Sequence, residues 1–152
     1  MTATTDIRID IPLLFGECVD QTLIDARDRT TEAGVPAAGE VAMDRTLADV
    51  FTLNLESVAV RVYRRIRGET EIFRFVPPVV FFRLREIGAQ ERGAAAVLVR
   101  DALKYGMLCW WYGSRDAGLY RLWAARYESA LSDLKTAVSG TFARRPYSLL
   151  GI

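Results

Sequence analysis

Polar and apolar residues alternate strictly over Asp6-Ile7-Arg8-Ile9-Asp10-Ile11. That is the period-2 signature of a strand with one buried face, and Pro12 closes it. Beyond Pro12 the period lengthens: Leu13, Leu14, Cys18, Val19, Leu23, Ile24 and Ala26 recur at helical spacing. This predicts a helix over roughly 13–31 with Pro12 in its first turn. Residues 31–41 carry Gly34, Pro36 and Gly39 with little periodicity and read as an internal loop. Asp44 is placed to cap a long helix reaching about Arg67. Its apolar face is Leu47, Val50, Phe51, Leu55, Val58, Val62 and Ile66, and Gly68 supplies its stop.

The next stretch is β-prone. Glu71 to Val76 reads as a strand, and Val79 to Leu84 does too, although 79–87 also suits the first turns of a helix. Pro77-Pro78 between them marks a bend or an edge, because proline cannot donate to a ladder. If both segments are strands, they pair antiparallel with the N-terminal strand in a small sheet. Gln90 to Gly113 is helical, with Ala94, Val97, Leu98, Ala102, Tyr105, Leu108, Cys109 and Tyr112 along one stripe. After the polar turn Ser114-Arg115-Asp116, with a cap at Ser114 or Asp116, a last helix runs to about Ser139 and Gly140 ends it. Its face is Leu119, Trp123, Tyr127, Ala130, Leu134 and Val138. Two long helices joined by so short a turn form an antiparallel αα-hairpin. The pattern therefore predicts a mainly α fold: a helical bundle with a long αα-hairpin, a small accessory antiparallel β-sheet and an extended C-terminal tail. Residues 1–140 form a single helical domain on this reading and 141–152 a tail.

Composition changes the picture chiefly by what is missing. The 152 residues include no histidine, which excludes a Ser-His-Asp triad, a Cys-His pair, His-ligated zinc and imidazole acid/base chemistry. Cys18 and Cys109 form no CxxC pair and read as buried apolar thiols. Asp25 and Asp28 can share a helix face, but Arg27 and Arg29 flank them; Glu69 and Glu71 bracket a β-prone segment. Neither pair has a matched second pair to make a metal or glycosidase site. A phosphate loop of the GxxxxGK[ST] type is absent. No catalytic residue, cofactor or metal is expected, and the chain reads as a non-enzyme. Met1 to Asp10 does not resemble a signal peptide, and the longest strongly apolar stretch, 106–113, is far short of a membrane span. The expectation is an intracellular, soluble chain without a membrane partner.

The net charge of +1 conceals an asymmetry. Residues 1–60 hold 11 Asp and Glu against 4 Arg, while residues 61–152 hold 16 Lys and Arg against 8 Asp and Glu. Such a chain suits head-to-tail packing of identical copies, acidic half against basic half. Arg61, Arg64, Arg65 and Arg67 concentrate the positive charge at a helix end. There they complement the helix dipole, and they also offer contacts to DNA or to another subunit. The aromatic residues Tyr105, Trp110, Trp111, Tyr112, Tyr120, Trp123 and Tyr127, interleaved with Arg115, Arg121 and Arg126, can stack bases, but their helical spacing favours packing in the hairpin seam. Trp110 and Trp111 are adjacent and face about 100° apart on a helix, so at least one leaves the core as a candidate subunit contact. The tail bears Phe142, Arg144, Arg145, Pro146, Tyr147, Leu149, Leu150 and Ile152. It is too apolar for a solvated end and reads as a segment that docks on a partner.

The order of elements resembles the head–tail connector (adaptor, or head-completion) proteins of tailed bacteriophages and prophages. The stretches that carry the likeness are Leu98-Val99-Arg100-Asp101-Ala102-Leu103-Lys104-Tyr105-Gly106, Leu119-Tyr120-Arg121 and Ala124-Ala125-Arg126-Tyr127-Glu128-Ser129-Ala130-Leu131. They are similar to the alanine-rich helix, turn and Tyr-containing helix of such adaptors. The resemblance implies a structural virion protein of the neck, assembled in the host cytoplasm as a ring, commonly of twelve copies, between portal and tail. It implies the portal protein and an adjacent neck or tail protein as partners, with residues 141–152 reaching into the portal. DNA in the channel is a further, non-specific contact for Arg61, Arg64, Arg65 and Arg67. The long loop at 31–41 and the Pro77-Pro78 segment depart from the smallest all-helical adaptors. The alternative class is a DNA- or nucleotide-binding helical regulatory protein that uses the same arginines and the aromatic surface.

Overall fold

The computed structural model of the chain describes residues 4–28, 42–85 and 89–139. The internal loop at 31–41, Gly140 and the tail at 141–152 lie outside them. Strand β1 (Thr4–Asp10) runs straight into helix α1 (Ile11–Asp28). Asp10 makes that corner: its Oδ1 accepts from the Leu13 backbone N–H at 3.0 Å, the side-chain cap of a helix start. Pro12 costs nothing there because a first-turn N–H has no partner within the helix. The start is also tied to the hairpin turn, since the Ile11 N–H donates to the Pro78 carbonyl at 2.9 Å.

Asp44 caps as the sequence suggests, accepting from the Thr46 N–H, but what it caps is a short 3-10 turn, Arg45–Leu47. Helix α2 follows as Ala48–Arg65. Phe51, Leu55, Val58, Ala59 and Val62 form its buried face, while Val50 is turned outward. Its stop differs from expectation. The helix closes at Ile66, whose N–H bonds back to Tyr63, and a second 3-10 turn, Arg67–Glu69, follows. Gly68 lies inside that turn with no left-handed backbone conformation.

Strands β2 (Thr70–Val76) and β3 (Val79–Arg85) form a hairpin around a cis Pro77-Pro78 bond. Of the two readings of 79–87, the strand is the observed one. The sheet order is β1-β3-β2, antiparallel throughout, so β3 is the central strand. Its core face carries the rows Ile7–Phe82–Phe73 and Ile9–Val80–Phe75, and Phe73 stacks on Tyr63 of α2 at 4.8 Å.

Helices α3 (Ala89–Tyr112) and α4 (Ala117–Ser139) form the long hairpin. Asp116 rather than Ser114 is its cap, accepting from the Leu119 N–H at 2.9 Å. All six apolar positions expected on α4 are buried. On α3 the stripe is rotated from expectation. Ala95, Val99, Leu103, Met107 and Trp111 form a fully enclosed i, i+4 row, whereas Ala94 and Val97 face solvent. Leu23 and Ile24 of α1, also expected inside, are more than a third exposed. The described elements share one apolar core, in which each enclosed large side chain such as Phe51, Phe82 or Leu103 contributes about 1.5–3 kcal/mol.

Candidate functional site

Four places on the molecule gather chemistry, and the first is sealed. Thr22 and Asp25 lie on the buried face of α1, one and two turns beyond Cys18. Asp25 accepts hydrogen bonds from the Tyr112 hydroxyl at 2.7 Å, the Trp123 indole N–H at 3.0 Å and the Gln21 amide at 3.1 Å. The carboxyl group thus joins α1 to both arms of the hairpin. Burial first, then the bond to Asp25, raises the Tyr112 hydroxyl well above its ordinary pKa. Thr22 donates to the Val19 carbonyl and accepts from the Met43 N–H, both at 2.8 Å, which fixes the chain where it enters the second half. The sequence signal for this cluster was an Asp on an otherwise apolar helix stripe. The pairing of Asp25 with Asp28 does not describe its role, because Asp25 points into the core.

The second place is the basic end of α2. Arg61, Arg64 and Arg65 line an open groove of about 320 Å³ with Tyr127, Glu128 and Leu131 of α4. Spacing of three and four residues brings the three guanidinium groups to one side of the helix. Arg67 sits past the helix end, in the 3-10 turn, and does not line this groove. Arg65 meets Glu128 at 3.6 Å with both side chains substantially exposed, a pairing of little energetic weight. The Tyr127 ring is buried against Gly106, and its hydroxyl has no hydrogen-bond partner among the described residues. Burial raises its pKa, and nearby Arg61 opposes the rise.

The third is the aromatic seam. Trp111, Tyr112, Trp123 and Tyr127 are buried, as packing rather than base stacking requires. The Trp110–Trp111 pair divides. Trp111 continues the enclosed row of α3 and is covered by Arg115, whose guanidinium carbon lies 3.6 Å from its ring centroid, so it is not available to another subunit. Trp110 is the half-buried member, in a groove with Arg61, Cys109 and Tyr120. Cys18 is buried and Cys109 half-buried; both are free thiols. Among the described residues, no group of three or more His, Cys, Asp or Glu is placed to hold a metal ion, and no helix is long and apolar enough to cross a membrane.

The fourth place was not legible in the sequence. The sheet face turned away from the core bears three rows: Asp6–Arg83–Ile72, Arg8–Phe81–Arg74 and Asp10–Val79–Val76. All of these residues except Asp6 and Asp10 line a depression of about 470 Å³. Asp6 holds Arg83 through two hydrogen bonds of 2.7 and 3.0 Å, and this contact keeps its carboxyl below the usual carboxylate range. The guanidinium groups of Arg8 and Arg83 lie over the Phe81 ring at 5.2 and 5.6 Å.

Comparison with known proteins decides nothing further. No family model, curated protein or solved structure matches this chain. A functional reading therefore rests on the chemistry of its own surfaces. Among the described residues, the buried carboxyl group of Asp25 is already engaged by three donors. Charged and aromatic side chains at the surface gather in grooves on the outer sheet face, at the basic end of α2 and beside Trp110.

Proposed function

We propose that the protein is a structural assembly subunit, a head–tail connector of a tailed-bacteriophage neck that forms a ring between portal and tail. On this reading it acts by association and not by catalysis. The observation that carries it is the division of labour between core and surface. The Asp25 cluster ties α1 to the hairpin inside a sealed core, while the outer sheet face and the outer face of α2 present apolar side chains beside unspent charges. The observed element order, strand, helix, long helix, β-hairpin and αα-hairpin, is also the order on which the family likeness stands. Residues 141–152 anchor the ring to the portal, and assembly takes place in the host cytoplasm before the subunit becomes part of the virion. The test is deletion of 141–152. The full chain is expected to co-purify with portal-containing particles and the truncated chain to be lost from them. Normal incorporation of the truncated chain removes the docking role of the tail.

A second reading, a DNA- or nucleotide-binding regulator, has one observation of its own: three arginines share a groove with Tyr127, whose buried hydroxyl has no hydrogen-bond partner among the described residues. It predicts DNA affinity that falls steeply with salt and is weakened by Arg61→Ala and Arg64→Ala. An isolated chain that does not bind DNA at low salt excludes it.

A further inference from the structure

We propose that the outer sheet face of one copy receives the outer face of α2 from a second copy of this chain, head to tail. The inference deepens the assembly reading above by naming the two surfaces that meet.

The receiving surface is the row Arg8–Phe81–Arg74. Its two arginines stand on the strands either side of β3. With neighbouring strands about 4.8 Å apart, they are about 10 Å from each other at the backbone, with Phe81 midway. Of the acidic residues near this face, Asp6 is bound to Arg83, Asp10 caps α1, and Glu71 acts on Arg83 from the edge of β2. Arg74 has no ion-pair partner among the described residues and is exposed. The face therefore offers two cations around an apolar centre, extended by Ile72, Val76 and Val79.

The entering surface has the matching layout. From Ala48 to Val60, α2 carries no basic residue. Asp49 and Glu56 are seven residues apart, which at 1.5 Å per residue is about 10.5 Å along the axis. Leu53 lies between them, and at about 100° per residue all three fall within about 60° of one another. Leu53 is 76% exposed and its neighbour Val50 46%, so this helix face carries two adjacent uncovered apolar side chains. Neither the Asp49 nor the Glu56 side chain has a partner among the described residues. A helix laid along the row, across the strands, with its Glu56 end toward β2, sets Leu53 on Phe81 and brings Glu56 to Arg74 and Asp49 to Arg8. The match is in spacing, in sign and in the apolar centre.

The two faces are different surfaces of the same chain, so the contact is heterologous. Repeated, it gives a closed ring when the rotation permits closure and an open filament otherwise.

The experiment uses the full chain in sedimentation velocity over a range of concentrations, with Arg74→Glu, Glu56→Arg, the double variant and an equimolar mixture of the two single variants. Both positions are exposed, and circular dichroism checks that the fold is kept. The wild type is expected to associate as concentration rises. Each single reversal sets like charges face to face and weakens association about tenfold or more. The double variant recovers association with itself. The mixture recovers too, because each chain keeps one native face and the two altered faces complement each other. A wild type that stays monomeric at every concentration overturns the proposal, as do single variants that associate like the wild type or a mixture that fails to recover. If Arg74→Glu instead weakens binding of a single-stranded oligonucleotide and leaves association unchanged, the sheet face is a nucleic-acid platform and the proposal falls. Portal co-purification is scored separately. A chain that self-associates as described but never joins portal particles loses the connector reading and keeps this contact.

Discussion

Replacing Asp25 with alanine removes the one acceptor shared by three donors from different parts of the fold. The Gln21 amide is half-buried and finds water. The Tyr112 hydroxyl and Trp123 indole N–H cannot, because their side chains are at most 2% exposed. A buried donor left unsatisfied costs about 1–3 kcal/mol, so the two together cost about 2–6 kcal/mol. Against a total stability of about 5–15 kcal/mol that is a large fraction. With a urea m-value of about 2 kcal/mol/M, the midpoint falls by about 1–3 M. Urea unfolding followed by tryptophan fluorescence measures it directly, since Trp123 is itself a partner. The same cluster makes a thermodynamic cycle with Tyr112→Phe. In the Asp25→Ala background that change removes an orphaned hydroxyl, so the double variant is expected to be more stable than the summed single losses by about 1–3 kcal/mol. A loss below about 1 kcal/mol for Asp25→Ala, or strict additivity in the cycle, would refute the view that this carboxyl group clasps α1 to the hairpin.

Three further outcomes follow from named contacts. A Cβ on Gly106 would stand 2.5 Å from Val58 Cγ1 and 3.0 Å from the Tyr127 ring, whereas one on Gly93 meets nothing. Both substitutions to alanine gain the same helix propensity, so thermal melts should separate Gly106→Ala below Gly93→Ala by about 1–3 kcal/mol. Burial pushes the Cys18 thiol up to about 12 from 9.0. In native protein at pH 8 an alkylating reagent should therefore modify the half-buried Cys109 first and Cys18 only as the chain unfolds. Because the folded-state pKa is raised, the unfolded chain loses its proton first. The neutral thiol's contribution is full below about pH 9 and declines through about pH 12, and the raised Tyr112 adds the same sign at the alkaline end. Finally, Asp116→Ala should lower stability by about 1 kcal/mol and Ser114→Ala by less than about 0.5 kcal/mol, the reverse ranking being the result that contradicts the observed cap.

Elements with a single buried side were legible along the chain. The face of α4, the alternation of β1 and the caps at Asp44 and Asp116 each depend on residues within a few positions of one another. Helix α3 was not legible in the same way. It packs against α4 on one flank and against α1 and α2 on another, so its apolar residues run most of the way around and no single stripe stands out. Val50, Leu23 and Ile24 have helical spacing relative to core residues and yet lie outside, because the neighbouring element that would cover them is not there among the described residues. The arginines at 61, 64 and 65 were found by spacing, but the Tyr127 and Glu128 that share their groove come from a helix more than sixty positions later.

By itself, then, the sequence determined the kind of every main element except 79–87, which it left open between strand and helix, along with their order, most of their boundaries and the exclusion of histidine chemistry, all properties of local period and composition. Tertiary structure alone decided that β3 is the middle strand, that Asp25 faces Tyr112 and Trp123, and that Arg8 and Arg74 stand on either side of Phe81. Those depend on which distant segments share hydrogen-bond register and which faces find cover. Neither is a function of any short window of the chain, because register and burial are settled by the partner strand or helix that arrives from elsewhere.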